Sequence, residues 1–319
     1  MKRELGLLGI LTSLMFAMGL ISRYFFTAEN LLGMTRHLAE VGIIGCAMTL
    51  VILTGGIDLS VGAIFGLSCI ALGYSWEALG PFPAVGLCFL TGLLCGGLNG
   101  FLIAQFRLPP LIVTLATMAL FRGTAMVVSK AQPVSGFSEA FSWIGQGSFG
   151  NVPLQLIVWI CVLGITLWAA HRTGFGRHLR AIGDQERAAF FAAVPVKRVV
   201  LTVYGISGVL CGLGALIFTS RMSTAKADAG LGMELDVITA VVLGGTRITG
   251  GQGSVLGTFL GVLILGVLRN GLSLGGISTV WQAMLGGLLL IVTAMFNEMI
   301  IHRQVLRRRH KNPPTTSNV

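Results

Sequence analysis

The chain has 319 residues, of which 54% are hydrophobic and only 11% are charged, and its mean hydropathy is +0.85. A soluble domain usually carries about a quarter charged residues, so the composition excludes an ordinary soluble protein. Apolar stretches of about 20 residues recur, the length that a helix needs to cross ~30 Å of hydrocarbon. Unbroken apolar runs without polar alternation also exclude a barrel. The composition therefore predicts an all-α membrane protein.

The net charge of +10 does not indicate a nucleic-acid partner, because the basic residues cluster in a few loops and in the C-terminal tail. The cysteines lie in apolar segments without CxxC spacing and are interpreted as packing residues. The histidines lie in loops or near helix ends, and no nucleophile or ligand set shares a depth. We therefore predict no metal site, no cofactor and no catalytic residue. The richest glycine run, 250–253, lacks the lysine of a phosphate-binding loop.

About ten transmembrane helices are predicted. The first, Leu5–Ile21, lacks a cleavage pattern and is interpreted as an uncleaved span. Helices two and three share the apolar stretch 41–73, which is broken at 54–60. The later helices are placed at 83–105, 110 to about 128, 153–170, 199–218, 234–245 and 280–296. One further helix lies between the last two of these and ends near residue 270.

Three polar segments interrupt or follow these helices. Residues 129–151 are long enough to form a small external structure. Residues 171–198 are the one long polar loop, and residues 303–319 form a basic tail that is predicted to be disordered and cytoplasmic. Residues 1–302 are treated as a single transmembrane domain.

The lysines and arginines predict the orientation. With both termini in the cytoplasm, fifteen of the 22 lie inside, six lie outside and Arg122 lies within a span. Nine or eleven spans would place either the basic loop or the basic tail outside. The asymmetry favours ten helices with cytoplasmic termini.

A weak internal repeat is also present. A shift of 171 residues aligns Asn99-Gly100 with Asn270-Gly271, Leu72-Gly73 with Leu243-Gly244, and Gly86 with Gly257. Helices three to five then correspond to helices eight to ten. A shift by five spans inverts the topology, as in the inverted repeats of many transporters.

Asp58 is the strongest candidate among the ionisable residues at membrane depth, where a charge is costly. It follows the paired glycines Gly55 and Gly56 and precedes Ser60. Asp58 could line a substrate path or connect two helices, or else Asp58 or Ser60 could cap helix three. Asn99 and Asn270 could hydrogen-bond a polyol solute, or equally could join helices.

Within the long loop, residues 185–193 are predicted to form a short amphipathic helix that is capped by Asp184 and exposes Phe190 and Phe191. Such a helix can lie at the lipid interface. It can also dock into a groove on a cytoplasmic partner, which a transport protein without its own motor requires.

Three segments resemble the permease subunits of ABC importers of the ribose, xylose, rhamnose and autoinducer-2 type. They are Thr54-Gly55-Gly56-Ile57-Asp58-Leu59-Ser60-Val61-Gly62, the loop from Gly176 to Ala189, and Val242-Leu243-Gly244-Gly245 continuing through Gly250 to Thr258. Two departures are Asp184, where relatives commonly carry Asn, and Val194, where a Gly often follows the coupling helix.

The resemblance implies a non-catalytic subunit that works with cytoplasmic ABC ATPases, a periplasmic sugar-binding protein and a second copy or sister permease in the bacterial inner membrane. It implies alternating access at the interface of the two permeases. It also implies that residues 176–194 couple the permease to the ATPase. The coupling candidates are Gly176, Ala181, Gly183, Asp184, Glu186, Ala188, Ala189, Phe190 and Phe191. The alternative is a stand-alone secondary carrier or channel, or an anchor that transports nothing.

Overall fold

The computed structural model describes the backbone of residues 2–311 and the side chains of residues 3–295. The helices are α1 (Lys2–Ile21), α2 (Ala28–Leu53), α3 (Val61–Leu79), α4 (Pro81–Phe106), α5 (Pro110–Ser129), α6 (Glu139–Gln146), α7 (Leu154–Arg172), α8 (Gly174–Asp184), α9 (Glu186–Phe191), α10 (Val196–Met222), α11 (Met233–Leu243), α12 (Val255–Leu274) and α13 (Thr279–Lys311). The strands are β1 (Val134–Ser135), β2 (Ser148–Phe149), β3 (Val152–Pro153) and β4 (Thr224–Ala225).

Eight of the described helices are long and apolar enough to cross a membrane, and α13 contributes a shorter apolar segment, Thr279–Met295. The eight are α1 to α5, α7, α10 and α12. The prediction of an all-α, multi-pass membrane protein is therefore confirmed. The strands form two short antiparallel pairs, β1 with β4 and β2 with β3.

Local sequence explains where the long helices begin and end. The Thr27 hydroxyl accepts a hydrogen bond from the Asn30 amide at 3.3 Å and caps α2, which therefore starts well before the apolar stretch predicted from residue 41. At the other boundary, Arg107 has a left-handed φ of 54° after α4. Pro109 and Pro110 follow and cannot continue the helix.

The centre of the bundle is formed by α2, α3 and α10. Helix α10 packs against α4, α3 and α2, while α12 packs against α1, α2 and α11. Glycines allow α4 and α10 to approach each other closely, because a methyl group on Gly208 of α10 would lie 1.9 Å from the carbonyl oxygen of Gly92 on α4. Small residues at such crossings allow two backbones to come close in a membrane.

The predicted helix at 234–245 forms, but α11 is too short to span a bilayer by itself. Its 11 residues rise about 16 Å, against a hydrocarbon thickness of ~30 Å. The preceding segment 224–232 is not helical and packs along α3. Methyl groups on Gly73, Gly66 and Gly62 would contact Ala225, Ala227 and Gly230 in that order. The small residues Ala225, Ala227 and Ala229 of this segment are buried, whereas Lys226 and Asp228 are exposed.

The polar stretch predicted to form a small structure contains β1, α6 and β2. Ser138 caps α6 by accepting a hydrogen bond from the Phe141 amide at 3.4 Å. β1 pairs with β4, with Val134 opposite Ala225. This pairing joins the polar stretch to the end of α10.

The last helix differs from its predicted extent. It continues past the predicted end near Phe296 and runs to Lys311, which includes the first part of the basic tail. Residues 312–319 of that predicted tail lie outside the described residues.

Candidate coupling site

Helix α8 folds back tightly on the end of α7. A methyl group on Gly176 would lie 1.9 Å from the Ala170 carbonyl oxygen, so glycine is required for this approach. The Arg180 guanidinium donates a hydrogen bond to the same carbonyl oxygen at 2.8 Å. The fold-back fixes the base of the polar loop on a membrane helix.

Helix α9 follows α8 after one residue and presents two aromatic rings. Phe190 and Phe191 are 63% and 86% exposed, and their ring centroids lie 5.9 Å apart. Ala189 on the same helix is buried. The predicted exposure of the phenylalanine pair agrees with these positions.

The predicted cap of this helix is wrong. Asp184 is the last residue of α8, and Gln185 occupies the cap position of α9 without a side-chain hydrogen bond to the helix. The Asp184 carboxylate instead faces the glycine-rich loop, where a methyl group on Gly251 would lie 2.6 Å from Oδ1. Helix α9 begins one residue later than predicted, and the exposed Asp184 side chain lies beside the glycine-rich loop.

The coupling candidates divide by exposure. Gly176 and Ala189 are buried and anchor the two helices, whereas Ala181 and Gly183 are half-buried. The exposed members are Asp184, Glu186, Ala188, Phe190 and Phe191. The exposed set forms a surface at the end of the bundle.

The three sequence segments that carried the resemblance meet beneath this surface. The Gly251 amide donates a hydrogen bond to the carbonyl oxygen of Leu53 at 3.1 Å. A methyl group on Gly183 would lie 2.1 Å from that oxygen, and one on Gly250 would lie 2.6 Å from the Gly55 nitrogen. We call Gly55, Gly183, Gly250, Gly251 and the Leu53 carbonyl the glycine junction. Here α8 contacts the break after α2 and the break before α12 without intervening side chains.

Asp58 is fully buried beside this junction, in the segment between α2 and α3. Its Oδ1 accepts hydrogen bonds from the Ser60 amide at 3.0 Å and the Ser60 hydroxyl at 2.6 Å. Its Oδ2 accepts one from the Ser207 hydroxyl of α10 at 3.3 Å. The Asn99 amide of α4 donates to the Ser60 oxygen at 2.8 Å.

The predicted alternatives for Asp58 were a substrate path, a connection between helices and a cap. Ser60 occupies the cap position of α3 without a side-chain cap bond. In the described conformation Asp58 connects the α3 start to α10, and Ser60 connects it to Asn99 of α4.

Asn270 does not join Asp58, Ser60 and Asn99. Its amide group and that of Asn30 exchange two hydrogen bonds, each 2.9 Å long, between α12 and α2. The candidate path residues therefore form two separate interhelical contacts.

Two ion pairs were missed by sequence reasoning. Arg221 of α10 makes a two-pronged contact with Glu40 of α2, with hydrogen bonds of 3.0 and 3.2 Å. Arg269 of α12 makes a similar contact with Asp236 of α11. The sequence placed both arginines with the outer charges, since their acidic partners are distant in the chain. An acid within an apolar helix, such as Glu40, was the available signal.

Among the described residues there is no group of three or more His, Cys, Asp or Glu side chains placed to hold a metal ion. The geometry instead defines a helical bundle with an exposed two-helix surface joined by backbone contacts to two breaks in its spans. This arrangement is that of a membrane transport component.

Comparison with known proteins agrees with this class. Residues 30–294 match the family described as the permease component of the branched-chain amino acid transport system. The ribose import permease protein RbsC of Bacillus subtilis is 38% identical over 287 residues, covering 89% of each chain. The autoinducer 2 import system permease protein LsrD of Escherichia coli K12 is 36% identical over 322 residues, covering 97% of each chain. No solved structure gives a significant match.

The chain belongs to this permease family. Membership confirms the resemblance to sugar-type ABC importer permeases that the three motifs carried. It also makes the chain a non-catalytic transport component.

Proposed function

We propose that the chain is the membrane-spanning subunit of an ABC importer that moves a sugar or sugar-like solute inward, driven by ATP hydrolysis on separate cytoplasmic subunits. The single observation that carries this proposal is the α8–α9 surface. Phe190 and Phe191 are too exposed to serve the packing of this chain, and α8 beneath them contacts both breaks in the spans through the glycine junction.

Residues 176–194 form the coupling segment in this proposal. An amphipathic surface with aromatic anchors fits a groove on a protein partner. Movement of that partner displaces α8, and the backbone contacts at Gly183 pass the displacement to Leu53 and Gly251. Backbone contacts transmit such shifts well, since no flexible side chain lies between the moving parts.

Ten passages with cytoplasmic termini follow when α13 and the 224–243 passage join the eight long helices. Helix packing supports the inverted repeat. A shift of 171 residues relates α3, α4 and α5 to α11, α12 and α13, and α2 to α10. In keeping with it, α3 packs on α5 as α11 packs on α13, and α4 packs on α10 as α12 packs on α2.

The partners in this proposal are two ATPases, a periplasmic sugar-binding protein, a second copy or sister permease, and the bilayer of the bacterial inner membrane. The binding protein docks on the end of the bundle opposite α9, formed by 129–151 and 220–233. Trp143 and Phe149 are exposed there, with ring centroids 5.6 Å apart. The relatives import ribose and autoinducer 2 by their names, which supports a solute of this chemical class.

The discriminating experiment is reconstitution in liposomes. The chain is tested alone and then with its cognate ATPases and binding protein, with labelled ribose and autoinducer 2 as probes. Uptake that requires ATP and all components supports the proposal. Uptake by the chain alone, driven by a solute gradient, favours the stand-alone carrier or channel instead.

A further inference from the structure

An apolar groove of about 760 Å³ lies on the flank of the bundle between α4 and α10. Among the described side chains that line it, Thr202 is the one polar member. Its hydroxyl already donates a hydrogen bond to the Arg198 carbonyl oxygen at 2.8 Å. The groove therefore offers a surface for hydrocarbon and no polar group for a sugar.

Glycine creates this groove. A methyl group on Gly97 of α4 would meet nothing within 4 Å, and one on Gly205 of α10 would approach Leu93 at 3.6 Å. The neighbouring Gly96 faces α10 instead, where a methyl group would lie 2.2 Å from the Tyr204 carbonyl oxygen. The two helices thus contact each other along one face that contains glycine, and the groove lies along the adjacent face.

The length of the groove matches one leaflet of a bilayer. It extends from Leu93 to Phe101 on α4 and from Leu201 to Leu210 on α10, which corresponds to about 12 to 14 Å of helix. Half of a hydrocarbon core of ~30 Å is about the same length. One acyl chain of a single leaflet can therefore lie along it.

Positive charge stands at one end of the groove. Lys197 and Arg198 precede the lining residues Leu201 and Thr202 by four positions on α10, so each lies on the same helix face one turn further along. Both are exposed. Their distance beyond the lining, about 5 Å, is the level of a headgroup.

Helix α4 ends at the same place. The Lys197 ammonium donates a hydrogen bond to the neutral Gln105 side chain of α4 at 3.0 Å, and the exposed Arg107 caps that helix. Within side chains 3–295, Lys197, Arg198 and Arg107 form no ion pair. Three cations without acidic partners thus surround the end of an apolar groove.

A second apolar cavity of about 280 Å³ lies on the other side of the same α10 ridge. Thr202, Ile206 and Leu210 line both cavities. A ridge with an apolar depression on each side suits a molecule with two hydrocarbon chains.

We propose that an anionic phospholipid binds here as a specific ligand, with an acyl chain in the α4–α10 groove and its phosphate at Lys197, Arg198 and Arg107. Basic pockets between transmembrane helices are known to select anionic headgroups. The proposal does not depend on which solute is transported or on how transport is energised. It adds a lipid-binding site to the permease.

The test is a lipid titration of the purified full-length chain, read by native mass spectrometry. Phosphatidylglycerol is compared with phosphatidylcholine of the same acyl chains, and glycerol phosphate serves as a free-anion competitor. Gly97→Leu fills the groove, and Gly86→Leu on the same helix is its control, because a methyl group there also meets nothing within 4 Å. The double variant Lys197→Gln/Arg198→Gln removes charge, with the exposed Lys226→Gln as its control.

We expect preferential binding of phosphatidylglycerol that weakens about fivefold for each charge removed and at least fivefold in Gly97→Leu, with both controls unchanged. Melting curves of each variant show that the fold is retained. Equal binding of both lipids, competition by glycerol phosphate, or an unaltered Gly97→Leu overturns the proposal. Formation of a dimer that Gly97→Leu disrupts also overturns it, since a second copy is then the occupant.

Discussion

The backbone amide of Gly251 donates a hydrogen bond to the carbonyl oxygen of Leu53, which joins the loop before α12 to the end of α2. Gly183 of α8 fits directly against both atoms. Gly183 is thus packed against both breaks at once. Under the proposed function this contact would pass a displacement of α8 to both spans, and it motivates the first prediction.

Gly183→Ala is expected to abolish or strongly reduce transport. The added methyl group would lie 2.1 Å from the Leu53 oxygen and 2.3 Å from the Gly251 nitrogen, and overpacking of this kind costs about 1–3 kcal/mol. The measurement is solute uptake per membrane-inserted protein in vesicles that contain the whole transport system. Gly174→Ala is the control, because its methyl group would approach only the Arg177 side chain at 3.6 Å. Normal uptake in Gly183→Ala contradicts a tight junction.

Phe190→Ala/Phe191→Ala is expected to uncouple transport while the chain still inserts normally. The two rings are largely exposed, so their removal costs the isolated fold little, whereas exposed aromatic anchors contribute strongly to protein interfaces. The measurement is co-purification of the ATPases together with ATP-dependent uptake. Phe82→Ala, at a position that is 90% exposed at the other end of the bundle, serves as the control. Intact ATPase assembly in the double variant counts against the coupling role of α9.

Glu40→Gln and Arg221→Gln are each expected to destabilise the chain by about 3–5 kcal/mol, because each leaves a charge uncompensated in a nearly enclosed site. The side chains of Arg221 and Glu40 are 13% and 5% exposed. The combined apolar replacement Glu40→Leu/Arg221→Met is expected to be more stable than either single variant. The double variant Glu40→Gln/Arg221→Gln completes a double-mutant cycle with the two single variants, and unfolding in detergent then measures the coupling. Additive effects would show that the pair contributes nothing as a pair.

Asp58→Ala is expected to lower the free energy of unfolding by about 1–3 kcal/mol, since the Ser60 amide and the Ser207 hydroxyl lose their acceptor. Asp58→Asn keeps one acceptor oxygen and should fall between wild type and Asp58→Ala. Thermal unfolding gives the order. If all variants retain stability but lose transport, Asp58 acts on the solute path and not as a connection between helices.

Asn270→Ala is expected to destabilise the α2–α12 contact by about 0.6–2 kcal/mol, because Asn30 loses both of its hydrogen bonds to Asn270. Transport should keep its solute KM. Uptake measured over a range of solute concentrations checks this. A raised KM with unchanged stability would assign Asn270 to solute binding.

The sequence by itself determined that this protein lies in a lipid bilayer, and it indicated the class of protein to which the chain belongs. Apolar runs of the length of a bilayer, breaks at Gly55-Gly56 and Gly250-Gly251, and an amphipathic segment with Phe190-Phe191 are local properties of the chain. Local properties can be read without knowing which helices touch. The one-residue error at Asp184 shows the limit of such reading, since a carboxylate before a helix fits both a cap and a tertiary contact.

Tertiary structure alone decided which residues meet. Asp58 with Ser207, Asn30 with Asn270, and Glu40 with Arg221 are distant in the chain, and no periodicity in the sequence relates them. The non-helical segment 224–232 likewise depends on α3, because its backbone can pack against that helix only where Gly62, Gly66 and Gly73 leave room for it. Enclosure by neighbouring helices, which satisfies backbone groups and charges away from water, is a property of the packed bundle and of no single segment.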